Sequence, residues 1–169
     1  MSQNGIFTSY FANKDILSDK YQVVNIATYA PIWFASNYIQ LDECKPHNHT
    51  VGIWYRSAKD EQSKREYIYE YYKTTLSRLT LDDWKNVLNG LVKEVRQNTS
   101  PNKIIILACY ERPETFCHRL IFTIFIEIIL GIEITELNHP NVFECCDAIL
   151  IKNTLLEIIL RENYIKENK

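Results

Sequence analysis

Lys103 to Leu130 reads KIIILACYERPETFCHRLIFTIFIEIIL, and the fold follows from how this stretch changes character. Ile104, Ile105, Ile106, Leu107 and Ala108 form a short, continuous apolar run rich in β-branched residues. A strand buried on both faces of a parallel sheet has that composition. Glu111-Arg112-Pro113-Glu114-Thr115 interrupts it, and Pro113 removes a backbone donor while steering Arg112 away from helix. From Cys117 onward the chain is apolar again, for long enough to make a helix of about three turns. Strand, polar loop and helix in that order place unpaired helix N–H groups at the carboxyl edge of a sheet.

Cys117, His118 and Arg119 open that helix. A thiol beside two potential cations at a helix start is expected to ionise readily, which makes Cys117 a candidate nucleophile. His118 then serves as acid or base, Glu111 as the group orienting it or as a general base, and Arg119 as a fork for phosphate or carboxylate. On this reading Arg119→Ala leaves melting nearly unchanged or even raises it, because site residues are often held at a cost to stability. Arg119, Thr123 and Glu127 also recur four residues apart and form one polar stripe on an apolar helix.

The segments LACYE (107–111) and FCHR (116–119) resemble the Cys-x-Glu…Cys-His-Arg signature of the domain-of-unknown-function family 488. FTSYF (7–11) and VVNIATYAPIW (23–33) precede them in that family's order, so the resemblance spans most of residues 5 to 137. It implies a Rossmann-like fold and the positions of a site, with no reaction attached. Members of that family usually carry an arginine where this chain has Thr28, so any anion contact made by that arginine is missing here.

Working outward, residues 5–11 and 22–28 read as strands, as do 104–109 and, beyond Gly131, 132–137. Gly131 itself suits the left-handed end of the central helix. Residues 32–58 are the least legible. Trp33, Phe34 and Tyr38 are expected anchors, and Cys44-x-x-His47-x-His49 reads as a polar loop, since no second ligand pair follows at zinc-finger spacing. Lys59 to Arg78 reads as a helix whose Tyr67, Ile68, Tyr71 and Tyr72 face the core. Thr80 looks like an N-cap for a helix running to Arg96, with Leu81, Trp84, Leu88, Leu91, Val92 and Val95 on one side. Thr154-x-x-Glu157 has the capping-box spacing, which predicts a last helix from Leu155, while Ala148 to Ile151 reads equally as strand or helix.

The expected architecture is therefore one α/β domain: a three-layer, Rossmann-like arrangement around a mainly parallel sheet. A chain of 169 residues is one domain by length, and 46% apolar with 24% charged residues is ordinary for a globular protein. A net charge of −2 without any basic block makes nucleic acid an unexpected partner. The run 120–130 is too short to span a bilayer, so no membrane partner is expected either. Five cysteines and no secretory signal favour reduced thiols in the cytoplasm. A homo-oligomer is compatible with all of this.

Parallel sheets collect ligand sites at their carboxyl ends. There the sequence places Thr8, Ser9 and Tyr10, Thr28 to Trp33, Cys109, Tyr110 and Glu111, and Glu136, with the Cys117-His118-Arg119 helix start facing the same edge. Three functions compete. The first is an enzyme acting on a phosphate-bearing small molecule, such as a nucleotide. The second is a non-catalytic nucleotide binder. The third is a metal site built from Cys109, Cys117 and His118, with Glu111 as a further ligand. The chain lacks the glycines of dinucleotide and P-loop fingerprints, so no cofactor held in those modes is implied. Cys109, ending an apolar strand, reads as packing.

Overall fold

The apolar run 104–109 takes the place its composition demands, the middle of the sheet. In the computed structural model, which describes residues 5–34, 36–99, 101–113, 115–138 and 146–167, the strands are β1 (Ile6–Tyr10), β2 (Tyr21–Asn25), β3 (Tyr38–Gln40), β4 (Ile104–Cys109) and β5 (Thr135–Glu136). They lie in the order β3-β2-β4-β1-β5, and every pairing is parallel. β4 is flanked by β1 and β2, so its side chains from Ile105 to Cys109 are all buried. Ile106 is fully enclosed, and burying one such side chain stabilises the fold by roughly 1.5–3 kcal/mol.

Five α-helices accompany this sheet among the described residues: α1 (Asn48–Arg56), α2 (Glu61–Thr74), α3 (Leu81–Asn98), α4 (His118–Leu130) and α5 (Cys146–Glu167). Thr80 caps α3 in a reciprocal box with Asp83, and Trp84, Leu88, Leu91 and Val95 form its buried stripe. Gly131 ends α4 with φ +65°, as its lack of a Cβ allows. The row Tyr67, Ile68, Tyr71 and Tyr72 of α2 is buried as expected, packed where α2 meets α1 and α5.

Several expectations need correction. β2 stops at Asn25 instead of Thr28, because the Asn25 carboxamide accepts the Ala27 N–H and donates to Gln40, turning the chain out of the ladder. β5 holds only two residues of the expected six. Leu81 is 46% exposed because it sits in the first turn of α3, beyond the reach of the core. The illegible region holds two real elements. β3 is a three-residue edge strand, and α1 is a poorly helix-prone segment capped by His47, whose Nδ1 accepts the His49 N–H. The loop expected at Cys44-Pro46-His47-His49 is thus partly a helix start, and Cys44 is buried beneath it.

Ala148 to Ile151 is helical, and Thr154 begins nothing. It lies inside α5, where its hydroxyl donates back to the Leu150 carbonyl. The polar stripe on α4 also dissolves. Thr123 bonds within the helix, and exposed Glu127 pairs with Lys152 of α5. Ser100, after α3, and His139 and Pro140, after β5, lie outside the described residues. No helix among the described residues is long and apolar enough to cross a membrane.

Candidate functional site at the strand carboxyl ends

The register fixes which residues end level with one another. Tyr10 of β1 lies beside Cys109 of β4, and Asn25 of β2 lies beside Ala108. Phe11 and Ile26 then donate backbone N–H groups to the Cys109 and Ala108 carbonyls, so the end of β4 is clamped from both sides. Cys109 is therefore held rigidly, with its thiol buried at the sheet edge.

The loop after β4 returns the chain so that α4 begins against that thiol. Cys117 is the N-cap of α4 and accepts the Arg119 N–H on sulfur at 3.4 Å. The Cys109 and Cys117 sulfurs stand 3.1 Å apart as free thiols. Both thiols donate to the Glu111 carboxylate, at 2.9 and 3.2 Å. His118 Nδ1 lies 3.6 Å from Cys109 Sγ and 3.8 Å from Cys117 Sγ. The other ring nitrogen, Nε2, is 3.0 Å from the Ile26 carbonyl. Since a carbonyl only accepts, Nε2 carries the proton and Nδ1 turns its lone pair to the sulfurs.

Burial pushes the Cys117 thiol well above its ordinary range, and the neighbouring Cys109 adds to the shift. This overturns the expectation of a readily ionised Cys117: loss of solvation outweighs the helix start. For Glu111, burial acts to raise the pKa, but hydrogen bonds from Cys109 and Cys117, together with His118, outweigh it and hold the carboxyl below its usual value. For His118, burial acts to lower the pKa, while Cys117, Glu111 and the Ile26 carbonyl raise it on balance. With the Cys117 thiol neutral around pH 7, Glu111 is the anion that matters to the ring.

Arg119 does not face the pocket. Its guanidinium donates to the Ser9 carbonyl and, at 3.1 Å, to the Glu111 carbonyl. Its Nε lies 3.4 Å from the Glu136 carboxylate, and both side chains are almost wholly buried, at 3% and 2% exposed. Glu136 also accepts from the Thr8 hydroxyl at 2.7 Å. Nε and one terminal nitrogen of the fork are thus taken up by protein, so Arg119 is a buried tie between β1, the Glu111 loop and β5, in place of the expected open anion fork. Ser9 takes part through its backbone, and its hydroxyl accepts from Asn13. Tyr10 is partly buried and contributes nothing to the pocket wall, and Trp33 is 63% exposed and packs edge-on against Phe34.

Thr28 and Tyr110 do reach the pocket, a cavity of about 300 Å³ over the ends of β2 and β4. Cys109, Glu111 and His118 form one part of its wall, and Tyr29, Trp54, Tyr55 and Tyr67 much of the rest. The α1 and α2 rings continue inward: Trp54 packs on Tyr67, Tyr67 stacks on Tyr71, and Tyr71 meets His118 edge-on at 5.9 Å. Trp54, Tyr55 and Tyr67 lie far from the strand ends in sequence. The aromatic pair Trp54-Tyr55 was a usable signal only for a reader who already knew that α1 returns to this edge. No family model, curated protein or solved structure matches the chain.

Proposed function

We propose that this protein binds a nucleotide-like small molecule, with its heteroaromatic ring in the pocket over β2 and β4 and the reacting atoms toward Cys109, Glu111 and His118. One observation carries the reading: a cavity of about 300 Å³ walled by five aromatic side chains adjoins an ionisable trio at the carboxyl edge of a parallel sheet. Tyr29, Tyr55 and Tyr110 are the rings open to a ligand, at 70%, 72% and 48% exposed. Large aromatic surfaces left open beside a cavity are what base stacking uses. The resemblance to family 488 falls on Cys109, Glu111, Cys117 and His118, the same corner of the fold.

The anion-binding part of the earlier expectation moves elsewhere. No Lys or Arg among the described residues lines the cavity, and Arg119 is tied to Glu136. Two lysines stand over its aromatic wall, Lys59 at 4.1 Å from the Trp54 ring and Lys45 at 5.8 Å from the Tyr29 ring. A phosphate carried by the ligand meets the protein there, at the rim. Glu111, held ionised, supplies a base next to the ring, and the His118 Nδ1 lone pair faces the same corner.

The test is a titration of adenosine, AMP, guanosine, GMP and inorganic phosphate, followed by thermal shift and tryptophan fluorescence. A nucleoside is expected to raise Tm and change the Trp54 signal, and the monophosphate to bind more tightly. Tyr55→Ala or Tyr110→Ala should weaken binding about 5- to 150-fold, since one base–aromatic stack contributes roughly 1–3 kcal/mol. Lys59→Ala should remove the advantage of the monophosphate. Phosphate binding without any nucleoside binding would sink the proposal. Product formation that is lost in Glu111→Gln while binding survives would separate an enzyme from a sensor.

A further inference from the structure

We propose that Cys109, Glu111, Cys117 and His118 form a binding site for a thiophilic divalent cation, Zn²⁺ above all. Their four ligand atoms lie within 4.8 Å of one another. Tetrahedral zinc, with bonds of about 2.3 Å to sulfur and 2.0–2.1 Å to nitrogen, puts S···N near ~3.6 Å and S···S near ~3.8 Å. The two S···Nδ1 distances here are 3.6 and 3.8 Å. The sulfurs, at 3.1 Å, must part by about 0.7 Å to reach that separation. They are well beyond the ~2.05 Å of a disulfide. A metal entering between them parts the sulfurs by small side-chain rotations and leaves the backbone in place.

Three further features favour a metal over packed thiols. The His118 ring is oriented as a ligand: Nε2–H is held by the Ile26 carbonyl and Nδ1 points at both sulfurs. Histidines that bind metals are fixed in this way by a backbone acceptor on the other nitrogen. Cys117 occupies an N-cap, where sulfur is a weak acceptor and Ser, Thr, Asp or Asn caps better. A helix cap alone therefore does not account for a cysteine. Finally, all four ligands come from one strand–loop–helix segment clamped at both ends, by β1 and β2 around Cys109 and by Arg119 on the Glu111 carbonyl. The ligands are arranged before any ion arrives.

The donor set selects the ion. Two thiolates and an imidazole suit Zn²⁺, whereas Mg²⁺ and Ca²⁺ take oxygen ligands. On binding, each thiol transfers its proton to solvent and each sulfur forms a bond to the cation, with His118 and ionised Glu111 completing four bonds. The ion enters through the pocket, whose wall contains Cys109, Glu111 and His118. This site needs no organic ligand, although it shares Cys109, Glu111 and His118 with the nucleotide reading, and titration with the metal alone tests it separately.

The experiment uses the reduced full chain, stripped of metal with a chelator and titrated with Zn²⁺ by native mass spectrometry and with Co²⁺ by absorption spectroscopy. One ion per chain is expected, with a sulfur-to-cobalt charge-transfer band and the visible bands of a tetrahedral site. Cys109→Ser, Cys117→Ser and His118→Gln should each weaken binding at least 100-fold. His47→Asn with His49→Asn, outside the cluster, should change nothing. Because a buried variant can fail to fold, the unaltered protein gives a second measurement. Stoichiometric Zn²⁺ should protect Cys109 and Cys117 from alkylation in mildly denaturing buffer, and leave Cys44 as reactive as before. No bound ion at stoichiometric Zn²⁺, a cobalt spectrum without the thiolate band, or equal protection of Cys44, Cys109 and Cys117 would each overturn the proposal.

Discussion

Replacing Arg119 with alanine tests the central correction to the site. The guanidinium is 3% exposed and ties together the Ser9 carbonyl, the Glu111 carbonyl and the Glu136 carboxylate. Removing it leaves Glu136, itself 2% exposed, as a buried carboxylate whose cation is gone and which keeps the Thr8 hydroxyl. Breaking one side of a buried ion pair costs about 3–5 kcal/mol. For a chain of this size each kcal/mol lowers Tm by about 2–4 °C, so a loss of roughly 6–20 °C is expected. Arg119→Lys should recover only part of it, because an ammonium cannot serve three acceptors arranged around a planar fork. The pair Arg119→Met with Glu136→Gln should be more stable than Arg119→Ala, since the Glu136 charge is removed together with that of Arg119. The measurement is thermal unfolding by circular dichroism, backed by urea titration. A loss of less than about 1 kcal/mol for Arg119→Ala, the range of a surface pair, would refute the reasoning and return Arg119 to the ligand.

Three other outcomes follow from particular contacts. In the metal-free native protein, Cys117 should react with iodoacetamide near pH 7 more slowly than a free thiol, because burial and Cys109 both favour its protonated form; faster alkylation, read by peptide mass spectrometry, would restore the nucleophile reading. Asp60 and Asp83 cap α2 and α3, and bonds from Ser63 and from Thr80 hold each carboxyl below its ordinary 3.8. Their contribution is present above pH 3.8, the unfolded value, and is lost as pH falls through the lower folded values; Asp60→Asn with Asp83→Asn should therefore flatten the fall in Tm on acidification. Gly131→Ala should cost about 1–2 kcal/mol in urea titrations, because φ is +65° while the space around a new Cβ is open; a neutral result would mean that the end of α4 relaxes.

By itself the sequence determined the local grammar of this protein. The run Ile104–Cys109 had one stable setting, a strand covered on both faces, and it became the centre of an all-parallel sheet. Thr80 and Gly131 ended their helices as their side chains dictate, because capping is decided within one turn of chain. The tyrosine row of α2 turned inward for the same short-range reason of period. Elements with weak local preference, α1 and β3, could not be read, since packing and not propensity makes them form.

Only the tertiary structure decided which candidate residues meet one another. Arg119 and Glu136 lie in different elements, and β5 had to pair with β1 before their opposite charges could meet and exclude a ligand from the fork. Cys109 read as packing because an apolar strand end is an ordinary place for a thiol. Its character changed when α4 returned Cys117 and His118 to the same corner and β2 offered the Ile26 carbonyl to the ring. The sign of the Cys117 shift also depended on the fold, since desolvation is set by how much protein surrounds the sulfur and a chain in extended form carries no record of that.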